Sequence, residues 1–156
     1  EAWEYLPVAT SRKPEVFLSE FPEEQEKYLN DALDQKWSRL LEVRSEMTKA
    51  LEIARQNKVI GHSLEAAVTL SVNGDLADFI EENWQTLQDV AIVSSMDSAD
   101  ALGNDSYKSD ELPGLIVAVK PAAAEKWERC WVRAESVGQN ATHPQLCDRC
   151  ASVVTA

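Results

Sequence analysis

Long apolar runs are missing from this chain. The densest, Leu115 to Val119, falls far short of the roughly 20 residues that cross a bilayer. No basic stretch followed by an apolar core marks a secretory leader, so neither membrane insertion nor secretion is indicated. Cysteine is scarce as well: three in 156 residues, two of them in one tight turn, which fits reduced thiols or a metal site rather than a disulfide framework. Positive charge is in short supply, 15 Lys and Arg against 27 Asp and Glu for a net charge of −12. As an average, that argues against nucleic-acid binding, because phosphate contacts depend on cations. There is no Gly-rich phosphate loop, no internal repeat and no low-complexity tract. Catalytic groupings fail too. His62 and Ser63 are adjacent with no third group to orient the imidazole, and the pairs Glu23-Glu24 and Glu81-Glu82 read as solvent-facing helix charges.

What is present is unevenly distributed. Residues 63–119 carry eleven acidic residues and one basic, Lys108. Residues 36–62 carry Lys36, Arg39, Arg44, Lys49, Arg55 and Lys58 against Glu42, Glu46 and Glu52, and residues 120–150 carry five basic residues against four acidic. Basic faces can therefore form at both ends of an acidic middle. For the helix cations two readings stand: a line along a nucleic-acid backbone, or an ordinary solvated face on which Glu42 and Glu46 pair with Lys and Arg at helical spacing.

Secondary-structure signals divide the chain into three. In residues 1–62, Pro7, Pro14 and Pro22 break up the first segment, a short helix is expected after Pro22, and Leu33, Trp37, Leu40, Met47, Leu51 and Ala54 recur at three- and four-residue steps from Asp31 to about Asn57. That spacing predicts one long amphipathic helix, with Asp31 as N-cap and Gly61 as its stop. In residues 63–120 the period changes: Ala67–Val72, Val90–Val93 and Leu115–Val119 read as strands, Leu76–Trp84 as helix, and the Ser-, Asp- and Asn-rich stretch 97–113 as loop. Residues 121–156 hold all three cysteines. The predicted class is α+β: the end of a helical bundle, a small mixed junction and a zinc-ribbon-like tail.

The tail carries the chemistry. Lys126-Trp127-Glu128-Arg129-Cys130-Trp131 is followed by Cys147-Asp148-Arg149-Cys150, with sixteen residues between Cys130 and Cys147. A structural zinc ribbon delivers four ligands as two Cys-x-x-Cys turns separated by a loop of this length. Here the second turn is intact, and Trp127 stands where the first should begin. An indole offers an N–H donor and no lone pair for a metal, so Cys130, Cys147 and Cys150 are the metal candidates, and zinc itself is put in question by Trp127. His143, Glu128 or a water could complete the site. The alternative is an empty ribbon, with Trp127 packed over the gap.

These motifs resemble the C-terminal end of isoleucyl-tRNA synthetases. Lys126, Arg129, Cys130, Trp131, Val137, Gly138, His143, Cys147, Arg149 and Cys150 fall at matching spacing and only Trp127 departs. Upstream, Glu1-Ala-Trp-Glu-Tyr-Leu-Pro7, Gly61-His-Ser-Leu-Glu-Ala-Ala-Val68 and Gly114-Leu-Ile-Val-Ala-Val-Lys120 extend the match over nearly the whole chain. The resemblance implies a cytoplasmic fragment whose role is to hold the anticodon arm of isoleucine tRNA, with Lys126, Arg129, Trp131 and Arg149 as RNA contacts through stacking and phosphate pairing. Its partners would be that tRNA and the rest of the synthetase chain, with no membrane and no DNA. The His-x-Gly-His and Lys-Met-Ser-Lys type signatures of this synthetase class are absent, so ATP belongs to a catalytic domain outside these residues and the fragment itself is expected to be non-catalytic. In the family the histidine is not counted among the zinc ligands. A structural bracing module without RNA binding is the alternative role.

Overall fold

A computed structural model describes every residue except Glu1, Val8, Thr10, Ser11, Glu125, Trp127, Glu128, Arg129, Gly138 and Ala156. The chain divides into two compact units, Glu1–Asp34 and Gln35–Ala156. In the first, a short 3-10 turn lies at Val16–Leu18, and another at Glu26–Tyr28 replaces the helix expected after Pro22. Arg12 folds back to donate to the Leu6 carbonyl at 2.7 Å, and the Trp3 indole donates to that of Lys13 at 3.0 Å.

Helix α1 runs Asp31–Gln56. Its N-cap is Asn30, whose Oδ1 accepts from the Leu33 N–H at 3.0 Å, one position earlier than expected. The buried face is Leu40, Val43, Met47, Ala50, Leu51 and Ala54, a three-four repeat. Leu33 and Trp37 continue the pattern in sequence but remain exposed. The helix stops before Gly61. Val59 N–H bonds the Ala54 carbonyl and Lys58 N–H that of Arg55, with Lys58 at φ 59°. This is a Schellman cap built on a lysine, in which the paired carbonyls offset the left-handed backbone.

A four-stranded sheet follows in the order β2-β1-β4-β3, comprising β1 (Ala66–Ser71), β2 (Ser95–Ser98), β3 (Tyr107–Lys108) and β4 (Ile116–Pro121). β1 and β2 are parallel, which requires a crossover, and α2 (Asp75–Glu82) with α3 (Trp84–Ala91) supplies it. β4 runs antiparallel to β1 in a register that sets Val117 opposite Leu70 and Val119 opposite Val68. Val68 and Leu70 of β1, Val117 of β4, Ile80 and Leu87 of the crossover helices and the buried face of α1 share one apolar core. The class is α+β, as expected.

Two further expectations change. Val90–Val93 is not a strand: α3 continues through Ala91 and ends on Ile92, at φ 56°. A short apolar run has no period of its own, and burial of Leu87 and Ala91 on one helical face decided it. Glu46 is not a solvated helix charge. It is 1 % exposed and accepts from the Tyr107 hydroxyl at 2.8 Å and from the Ser109 hydroxyl, while its other oxygen is paired with Lys49 Nζ at 2.6 Å. Lys49 in turn donates to Glu111 at 2.7 Å. The helix thus grips the 99–115 loop through one buried carboxylate.

Candidate metal centre and its surroundings

The tail is pinned to the sheet domain before it forms any site. The Arg133 N–H donates to Ser94 Oγ at 2.7 Å, and the same hydroxyl donates to the Leu64 carbonyl. Ala122 N–H bonds the Glu65 carbonyl at 2.7 Å, and an antiparallel bridge joins Lys126 to Arg133. Cys130 lies between those two in sequence. Cys147 and Cys150 come from the start of a short helix, α4 (Asp148–Val154), on which Cys147 is the N-cap. Such a Cys-x-x-Cys turn carries both sulfurs to one side, and Ala134, Val137 and Leu146 close a small apolar shell around them.

The three sulfurs all lie within 4.8 Å of one another, with Cys130 and Cys147 3.8 Å apart. Four thiolates around zinc, each bonded at about 2.3 Å, stand roughly 3.8 Å from one another at the corners of a tetrahedron. The cluster therefore fits three corners of a zinc site. Burial pushes the Cys147 thiol up, but hydrogen bonds from the Cys150 and Arg149 backbone and from the neighbouring thiols more than offset it, and the thiol ends below its ordinary value. At Cys150 burial and the adjacent thiols act together and raise it. Of these two thiols Cys147 therefore gives up its proton more easily and Cys150 holds its own, as expected when neighbouring sulfurs share one negative charge.

His143 is not one of the clustered ligand groups; its backbone N–H is held by Asn140 Oδ1 at 2.9 Å. Trp127, Glu128 and Arg129, on which the fourth-ligand argument and one RNA contact rest, lie outside the described residues. Trp131 is described, and its position is unusual. It is 57 % exposed at φ 62°, and Lys126 Nζ sits 5.9 Å from its ring centroid. A bulky residue in the left-handed region costs on the order of 1–3 kcal/mol, and burial of the indole does not offset it. Arg149 is exposed in the first turn of α4.

The cations of α1 are mostly committed elsewhere. Arg39 stacks on Phe79, 4.5 Å from its centroid, and donates to the Asp75 carbonyl; Arg44 donates to that of Val90 at 2.8 Å. Lys49 serves Glu46 and Glu111. Arg55 pairs with Glu52 at 2.8 Å near the helix end. Sequence reasoning missed Ser94 and Arg133, which join tail to sheet, since neither belongs to a recognisable motif.

The cysteine cluster, set on a bridge-and-helix tail, defines a zinc-ribbon module. Residues 126–153 match the family described as "Zinc finger found in FPG and IleRS". Over almost its whole length the chain is similar to isoleucine-tRNA ligases: 44 % identical over 145 residues to that of Desulfotalea psychrophila, covering 92 % of this chain, and 41 % over 157 residues to that of Moorella thermoacetica, covering 99 %. The relative from Geobacter sulfurreducens is 38 % identical over 154 residues. The chain corresponds to the C-terminal region of isoleucine-tRNA ligases. It spans only 15–17 % of the length of these relatives. No helix among the described residues is long and apolar enough to cross a membrane.

Proposed function

We propose that this chain is a tRNA-holding region that positions the anticodon arm of isoleucine tRNA while a catalytic domain outside these residues performs ATP-dependent aminoacylation in the cytoplasm. The observation that carries the reading is Trp131: a large indole exposed on a strained backbone beside Lys126, next to the cysteine cluster. An exposed, pre-set aromatic is a stacking platform for an unpaired base, and a nearby cation pairs with its phosphate. Arg149 and Arg129 would add charge from the two cysteine turns. Zinc held by Cys130, Cys147 and Cys150, with His143, Glu128 or water completing the set, would fix those turns relative to each other. We keep the three-part organisation 1–62, 63–120 and 121–156, the first part being the end of the anticodon-binding bundle.

The test is equilibrium binding of residues 1–156 to an isoleucine tRNA transcript at low salt. Trp131→Ala should cost about 1–3 kcal/mol of binding, the range for loss of one base–aromatic stack. Equal binding by the variant would overturn the reading.

A specific observation favours bracing as a second role. In the first unit Phe17 and Phe21 are 93 % and 97 % exposed, and Tyr5 and Tyr28 are exposed as well. So many bare aromatics call for a cover, and the remainder of the synthetase chain is the partner they fit. This role is compatible with tRNA binding.

A further inference from the structure

The end of α1 and the ribbon enclose an open cleft of about 450 Å³ bordered by Arg55, Lys58, Gly61, Glu65 and Arg133. It is lined by three cations and one carboxylate in a protein of net charge −12, and of the three Arg55 is already paired with Glu52. Lys58 is the capping residue at φ 59° and is exposed. Arg133 donates through Nη1 to the Ala124 carbonyl at 3.1 Å, while its buried Nε has no partner. A buried cationic donor left unpaired is costly, and Arg133 borders the cleft that an anion would enter. A smaller depression, bordered by His62, Leu64, Glu65, Lys126 and Trp131, adjoins it at Glu65. The two depressions thus share one lining residue, Glu65, which sets the cationic cleft and the exposed indole beside the same side chain.

We infer that this cleft is a phosphodiester subsite for the RNA strand whose base stacks on Trp131, with Lys58 and Arg133 as its phosphate-contacting residues. The inference rests on the tRNA reading above and assigns the backbone contact that the reading leaves open. Two features point to a strand rather than a small anion. Neighbouring depressions that share Glu65 offer cations on one side and an aromatic surface on the other, the combination that single-stranded nucleic acid requires. The cleft is also open along its length, whereas a small-anion site would enclose its ligand. Arg39, Arg44 and Lys49 are spent on internal bonds and Arg55 pairs with Glu52, whereas Lys58, just past the end of α1, is exposed at the cleft. Glu65 restrains the affinity. Its Oε2 accepts the Gly61 N–H at 3.0 Å, and that bond holds its carboxyl below the usual value, so it stays charged beside any phosphate.

The salt dependence of transcript binding tests this. Each lost phosphate contact flattens the log–log slope by about 0.7–0.9, whereas loss of a stacked base does not. Lys58→Asn keeps a residue that tolerates the left-handed backbone, and Arg133→Gln removes the guanidinium. Each should weaken binding several-fold at low salt and flatten the slope, while Lys58→Arg should restore both. Glu65→Gln, which can still accept from Gly61, should tighten binding. Trp131→Ala should weaken binding without changing the slope. If Trp131→Ala weakens binding but both charge variants keep the wild-type slope, the cleft is refuted and the tRNA reading survives. If the wild-type chain binds no transcript, both fall. Should Arg133→Gln unfold, Lys58→Asn and Glu65→Gln decide the matter.

Discussion

Glu46 offers a test of how the fold is held, because a 1 % exposed carboxylate in an otherwise apolar helix face must be compensated. Replacing it with alanine removes the acceptor for the Tyr107 and Ser109 hydroxyls. Each stranded donor costs roughly 1–3 kcal/mol where it cannot reach water. Tyr107 is only half-buried and can partly rehydrate. Lys49 contributes little to the sum, since it is substantially exposed and keeps Glu111. The expected loss is about 2–3 kcal/mol, seen as a lower urea midpoint with an unchanged slope. Glu46→Gln keeps one acceptor and should lose about half as much. A cycle with Tyr107→Phe should show coupling of at least 0.5 kcal/mol, the size typical of residues sharing a hydrogen bond. The pH dependence follows from the same contacts. Burial alone would raise the Glu46 carboxyl, but bonds from Lys49, Ser109 and Tyr107 prevail and lower it. Its contribution to stability is therefore present above the ordinary carboxylate value near 4.5 and is lost as pH falls through the lower folded value. Glu46→Gln should flatten that acid limb. A Glu46→Ala protein within 0.5 kcal/mol of wild type would refute the reasoning.

Two further outcomes follow from backbone and ligand chemistry. Ile92 is β-branched, 53 % exposed and at φ 56°, so Ile92→Asn should raise stability by about 0.5–1 kcal/mol in urea unfolding, through relief of left-handed strain; a loss would show that its remaining contacts outweigh the strain. Trp127→Cys restores the four-cysteine pattern and should give stoichiometric zinc by elemental analysis, together with a clear gain in thermal stability of the tail; failure to recruit zinc would contradict descent from a four-ligand ribbon.

The long helix and the central strands were legible in the sequence because each has many residues in one period. Residues 40–54 repeat at three and four, and Ala66, Val68 and Leu70 alternate. The cysteine cluster was legible because its chemistry demands a fixed spacing. What escaped was set by contacts distant in the chain. Glu46 looks like any helix glutamate until Tyr107 and Ser109, more than sixty residues on, close over it. Val90–Val93 has no period to separate helix from strand, and only packing of Leu87 and Ala91 resolves it. The stop at Lys58 was hidden because a lysine seldom adopts a left-handed backbone, and Gly61 offered a more familiar signal. Ser94 shows no motif, although its hydroxyl ties the ribbon to the sheet.

The most direct test of the central claim is a nuclease footprint of residues 1–156 on an isoleucine tRNA transcript at low salt. Protection should fall on the single-stranded anticodon loop and its flanking backbone, and Trp131→Ala should abolish protection of the loop. Protection confined to the acceptor stem, or a loop footprint identical in the Trp131→Ala protein, would contradict the account.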